Sequence, residues 1–335
     1  SAPEYNRLSA LSDQNSLVPT KKVIKNIFAL ALPITIGSIV VPVVNMVDAT
    51  LILPRLQAGG LSEDAALAWQ GIFSGAAMSL VNVPTIFTLA LGTSLLPAIA
   101  NAYAQKQNNL IKRLSSLSIR VGQIIGLPSA IGLFVLAEPI SIFLYDNLAV
   151  ARPLSVVAFA TIFIILNQTT SPVLQGIGKT YLPVTHMFFG LLAKVIINYF
   201  LTPIPAINIL GPAIGTIVAF ALASFLNLRS IKKLVGGGIS ITESFIKPSL
   251  NAVLMGLSVY FLYPLFNKLA SALLGAQLSE TYIVAAAVIV SIGVGIVVYG
   301  IATLLTGTIS RSELELIPKI GPKLANIFTR LGLLR

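Results

Sequence analysis

Long apolar runs, each closed by a short polar or turn-forming segment, dominate the chain. Read against Gly, Pro and charged punctuation, they predict helices near residues 23–53, 66–100, 116–137, 150–175, 181–202, 211–229, 246–268 and 281–306. Each run holds about twenty apolar residues or more, enough to cross about 30 Å of hydrocarbon at 1.5 Å per residue. A helix satisfies its own N–H and C=O groups, which hydrocarbon cannot do for it. The expected fold is therefore all-α and integral to a membrane, a polytopic bundle of about eight spans. An even number of spans places both ends of this chain on one side.

Composition agrees with the pattern: 56% of residues are hydrophobic, 10% are charged and the mean hydropathy is +0.90. That balance excludes an ordinary soluble domain. The formal charge of +11 would suggest nucleic acid in a soluble chain, but membrane proteins gather Lys and Arg in cytoplasmic loops. All but four of the 22 basic residues fall in segments on one side of the predicted spans, with Arg55, Arg152 and Lys268 on the other and Lys194 inside a span. The rich side, with both ends, is expected to be cytoplasmic. Cysteine is absent, which excludes disulfides, thiolate metal sites and a Cys nucleophile. A single histidine, His186, excludes a His-rich metal centre and reads as a packing or interfacial residue. Residues 1–20 are polar, begin with Ser1 and carry no signal-peptide core, so the chain is expected to be a piece of a longer protein.

Several motifs reduce to structure. Asn167-Gln168-Thr169 fits the glycosylation sequon but lies inside a span. The patterns GIFSG (71–75), GQIIG (122–126) and GPAIG (211–215) suit close helix packing. Gly236-Gly237-Gly238 reads as a flexible loop among lysines. In the tail, IPKIGPKLANIF (317–328) resembles the hairpin of helix-hairpin-helix DNA modules. However, Leu324, Ile327, Phe328, Leu331 and Leu334 recur at helical spacing beside Lys323 and Arg330, the pattern of a helix lying on anionic lipid. Nucleic acid is not an expected partner, whereas anionic membrane lipids are.

One charge demands chemistry. Lys194 stands within FFGLLAKVIINYFL (188–201), and a charged Lys at mid-span costs about 2.5–3.5 kcal/mol on insertion scales. Counting residues inward places Asp48, Asn198 and Thr216 at a similar depth. Asp48 is therefore expected to pair with Lys194, Asn198 and Thr216 to complete the hydrogen bonds, and Arg55 and Arg120 to contact a headgroup or the interface.

The segments NMVDATLILPRLQAGGLSEDAA (45–66), LVNVPTIFTLALGTSLLPAIANAYAQK (80–106), LAEPISIFLYDN (136–147), LQGIGKTYLPV (174–184) and AKVIINYFLTPIPAINILGPAIGT (193–216) resemble bacterial oligosaccharide and lipid II flippases of the SpoVB/YtgP/MurJ type. These belong to the MOP superfamily, which includes the MATE exporters. Such proteins have two six-helix lobes around a cavity, followed by two extra helices. The resemblance implies an inter-lobe linker at 1–20, the second lobe at 21–235, a basic cytoplasmic loop at 236–247, the extra pair at 248–307 and a cytoplasmic amphipathic tail at 308–335. It also implies that the first lobe lies outside this chain and is its partner. The activity implied is transport rather than enzymatic: a polyprenyl-diphosphate-linked saccharide, such as a cell-wall precursor, crosses the bacterial plasma membrane by alternating access. No cofactor is implied beyond a coupling ion or the membrane potential. The lipid tail is thought to follow a groove beside the extra pair. At the position of Lys194 some relatives hold a cation, which its ammonium would replace. A cation-coupled multidrug exporter is the alternative, and it would want intramembrane carboxylates; a non-transporting scaffold for cell-wall enzymes is a third class.

Overall fold

The computed structural model describes residues 42–238, 240–274 and 280–308, and every element in it is helical. Helix α1 enters the description at residue 42 and runs to 58. After the turn at Gly59-Gly60, α2 (Glu63–Gly71) opens with Ser62 accepting from the Ala65 N–H, a side-chain N-cap. A π-helical turn, Ile72–Ala77, carries it into α3 (Met78–Ala104). Then come α4 (Asn108–Val135), α5 (Ala137–Tyr145), α6 (Ala151–Val157), α7 (Ala160–Gly176), α8 (Tyr181–Leu201) and α9 (Leu210–Ile231). Helices α10 (Lys247–Leu274) and α11 (Glu280–Leu305) complete the described chain.

Among the described residues, six helices are long and apolar enough to cross a membrane, and the pair Leu148–Val157 and Ala160–Gly176, bent by 46°, makes a seventh if it is one broken span. The expected span at 150–175 is thus broken near Ala158. The short α5 was not expected as a separate element: α4 ends at Val135, and the chain turns at Leu136 before α5 begins. The start of the first expected span, the linker at 1–20 and the amphipathic tail beyond residue 308 lie outside the described residues.

Large apolar side chains stand exposed around the bundle, including Phe87 (67%), Phe261 (71%) and Ile296 (68%). A bilayer would cover such a surface; in water it would aggregate. Inside, α8 packs along α9, and α10 along α11. Glycine permits the first contact, because a Cβ at Gly190 would overlap the Ala219 carbonyl and one at Gly211 would lie 2.8 Å from the Thr202 backbone nitrogen. GQIIG likewise seats α4 on α7, since a Cβ at Gly122 would meet Thr169 and one at Gly126 would meet Ile165. GIFSG does not pack this way: a Cβ at Gly71 or Gly75 meets nothing within 4 Å. That motif instead spans the π-helical turn, where the regular hydrogen-bond ladder is interrupted.

Candidate functional site

Helices α1 and α8 lie close enough for Lys194 to reach Asp48. Its Nζ donates to Asp48 Oδ2 at 2.6 Å, forming a salt bridge. One turn further along α8, Asn198 Nδ2 donates to Asp48 Oδ1 at 3.2 Å. Lys194 and Asn198 are fully buried, and Asp48 is 6% exposed. Four-residue spacing puts both donors on one face of α8, so a single carboxylate accepts from both. Glycine again makes room: a Cβ at Gly215 would overlap Asn198 Oδ1 and touch Lys194 Cγ. Asn198 Oδ1 of α8 and Thr202 Oγ1 just past its end, both buried, have no hydrogen-bond partner among the described residues.

Thr216 does not join this pair. Its hydroxyl donates to the Pro212 carbonyl at 2.8 Å, a carbonyl four residues back in its own helix. Threonine can satisfy itself this way wherever it sits in a helix, so similar depth did not secure a contact. Arg55, expected to contact a headgroup or the interface, has contacts within the chain. Its Nε donates to the Tyr199 carbonyl at 3.1 Å, and its guanidinium stacks 3.8 Å from the centre of the Tyr199 ring. Those contacts staple α1 to α8 beyond Asn198. Arg120 donates through Nε and Nη2 to the Thr308 carbonyl. Nearby, Asn251 Nδ2 donates to Thr306 Oγ1 at 2.9 Å and Thr308 Oγ1 at 3.2 Å. Arg120 thus helps fasten α4 to the end of α11.

Sequence reasoning missed a second buried polar network. In α7, the run Asn167-Gln168-Thr169-Thr170-Ser171 faces three different neighbours. Thr88 of α3 donates to Gln168 Oε1 at 2.6 Å, and Ser118 of α4 donates to the Thr169 carbonyl at 3.1 Å. From α9, Asn227 Nδ2 donates to Thr170 Oγ1 at 3.1 Å and Ser171 Oγ at 3.2 Å. Asn227 Oδ1 lies 2.7 Å from His186 Nδ1. Since that oxygen can only accept, Nδ1 carries the proton. Five consecutive polar residues cannot share one helical face, and that was the available signal.

The MatE family model matches residues 33–200, half of the chain. The chain belongs to the MatE family. Within it, the chain is 27% identical over 218 residues to "Uncharacterized membrane protein YabM" of Bacillus subtilis, covering 65% of this chain and 40% of that protein. Stage V sporulation protein B of the same organism is 23% identical over 223 residues, covering 67% and 43%. The solved structure "Lipid II flippase MurJ, inward closed conformation" has the same fold, with a TM-score of 0.53 at 19% identity, covering 85% of this chain and 55% of that one. This MatE chain therefore spans about two-fifths of the length of these two curated relatives. It is a multi-pass membrane protein with an all-helical, MurJ-like fold.

Proposed function

We propose that this chain is the second lobe and extra helix pair of a flippase that moves a polyprenyl-diphosphate-linked saccharide across the bacterial plasma membrane by alternating access. The observation that supports this most is an apolar groove of about 990 Å³ between the lobe and the α10–α11 pair. Phe87 of α3, Pro128 of α4, Phe143 of α5, Met255 of α10, and Ile292 and Gly295 of α11 line it. Such a groove suits a long hydrocarbon tail while the charged headgroup passes elsewhere. The exporter reading draws on Asp48, the one buried acid among the described residues. Asp48, however, is already bound by Lys194 and Asn198, which leaves no spare carboxylate for a cationic drug. No coupling Na⁺ is expected at this position, because the Lys194 ammonium supplies the charge.

A photoreactive benzoylphenylalanine at Phe87, 67% exposed in the groove, tests this reading. It is expected to crosslink radiolabelled polyprenyl-diphosphate-linked oligosaccharide in the presence of excess phospholipid. The same group at Tyr260, exposed on α10 but absent from the groove wall, is expected not to. Equal labelling at both positions, or full displacement by phospholipid, contradicts the groove's role.

The distribution of Lys and Arg supports an orientation with both ends of this chain cytoplasmic. Since the chain has no Cys, single cysteines probed on intact cells with an impermeant thiol reagent report the topology. Cys at Ser62 is expected to label and Cys at Gly237 is not. The reverse pattern inverts the orientation.

A further inference from the structure

About 22 Å back along α8 from Lys194, counted at 1.5 Å per residue, three connections of the lobe meet: α3 to α4, α7 to α8, and the turn after α9. The backbone doubles back in each through positive φ, at Lys106, Gly178 and Gly236 to Gly238. Between them lies a pocket of about 190 Å³. Its polar wall is Tyr103, Asn108, Lys112 and Lys179, and its apolar floor includes the buried Ile111 and Ile177. The Lys112 stem runs past the glycine turn, 3.4 Å from a Cβ placed on Gly238.

Charge in this region is one-sided. Lys106, Lys112, Arg113, Lys179, Arg229, Lys232 and Lys233 stand in these connections and adjoining turns, and residues 101–114, 175–183 and 228–238 contain no Asp or Glu. By contrast, Lys247 holds Glu243 at 2.7 Å, and Lys194 holds Asp48. Neither Lys112 nor Lys179 has an ion-pair partner among the described residues. Two ammonium groups, a phenol and an amide thus surround one small concavity with an apolar base.

We propose that this pocket binds a phosphate group. Lys112 and Lys179 supply the charge, the Tyr103 hydroxyl and Asn108 amide supply hydrogen bonds, and the isoleucine floor carries whatever adjoins the phosphate. The volume equals about six water molecules at about 30 Å³ each, room for a phosphate or diphosphate. Pockets for drug-sized molecules begin at about 300 Å³. Two sources offer this chemistry: the headgroup of an anionic lipid in the adjoining leaflet, and free phosphate or diphosphate in solution.

The purified chain in uncharged detergent is titrated with inorganic diphosphate and, separately, with short-chain phosphatidylglycerol, while its unfolding temperature is followed. At least one anion is expected to raise that temperature saturably. Lys112→Gln with Lys179→Gln is expected to weaken binding at least tenfold. Lys232→Gln with Lys233→Gln removes equal charge outside the pocket and is expected to weaken it less than threefold. All four lysines reach the surface, so both variants are expected to fold, as circular dichroism would check. Response to the lipid alone identifies a headgroup site, response to diphosphate alone a site for the free anion, and response to both a site for the phosphate group in either form. No saturable response, or equal losses in the two double variants, overturns the proposal.

Discussion

Lys194→Met and Asp48→Asn are each expected to destabilise the chain by about 3–5 kcal/mol, while the double variant loses much less than their sum. Lys194 Nζ and Asp48 Oδ2 lie 2.6 Å apart and both residues are buried, so removing one partner strands the other in a medium that cannot solvate it. Removing both leaves an amide at 48 that can still hydrogen-bond Asn198. The introduced methionine would fill most of the volume of the lysine stem. Unfolding of the two singles, the double and the parent in one detergent completes the double-mutant cycle. Coupling of about 2 kcal/mol or more is expected for a buried, hydrogen-bonded pair. If the two losses simply add, the pair does not act as a unit. In a complete transporter, each single variant is further expected to lower transport at least tenfold, because the charge stranded between α1 and α8 disturbs their packing at this depth.

Reconstituted by itself, the chain is expected to insert into vesicles and leave labelled polyprenyl-diphosphate-linked oligosaccharide where it started. In the proposed two-lobe arrangement, one lobe by itself cannot seal a pathway that both must form. Large side chains such as Phe188, Ile196 and Phe200 on α8 are exposed at 54%, 57% and 64%, available to lipid or to a second lobe. Rapid headgroup movement catalysed by the chain alone would remove the need for that lobe.

The long apolar runs were legible because hydrocarbon imposes one rule on all of them, and from 181 to 306 helix boundaries fell within one or two residues of those expected, except that α10 runs on to Leu274, six residues past its expected end. Lys194 and Asp48 were legible for a related reason. A lone charge in an apolar run needs a partner, and depth counted at 1.5 Å per residue left few choices. Thr216 shows where depth stops being enough, since a hydroxyl can satisfy itself on the carbonyl four residues back and need not face its neighbours. The Arg120 contact joins residues 188 positions apart, and no local pattern marks a backbone carbonyl as an acceptor. The bend near Ala158 left no proline signature at the break. The polar run at 167–171 was visible as letters but invisible as a hub, because its partners Thr88, Ser118 and Asn227 are small polar residues of ordinary kinds scattered over three other helices. Only the packing of α3, α4 and α9 around α7 gathers them.

The most direct test uses sealed vesicles in which this chain is assembled with the first lobe. Fluorescent polyprenyl-diphosphate-linked oligosaccharide is placed in both leaflets, and the fraction of headgroups open to a membrane-impermeant quencher is followed with time. Headgroups are expected to exchange between leaflets until nearly all are quenched. Vesicles with the chain alone, or with the Asp48→Asn variant in the assembled pair, are expected to stall near the half initially exposed. If the assembled protein leaves the lipid in place and instead moves an organic cation against its gradient, it is an exporter and the flippase reading is wrong.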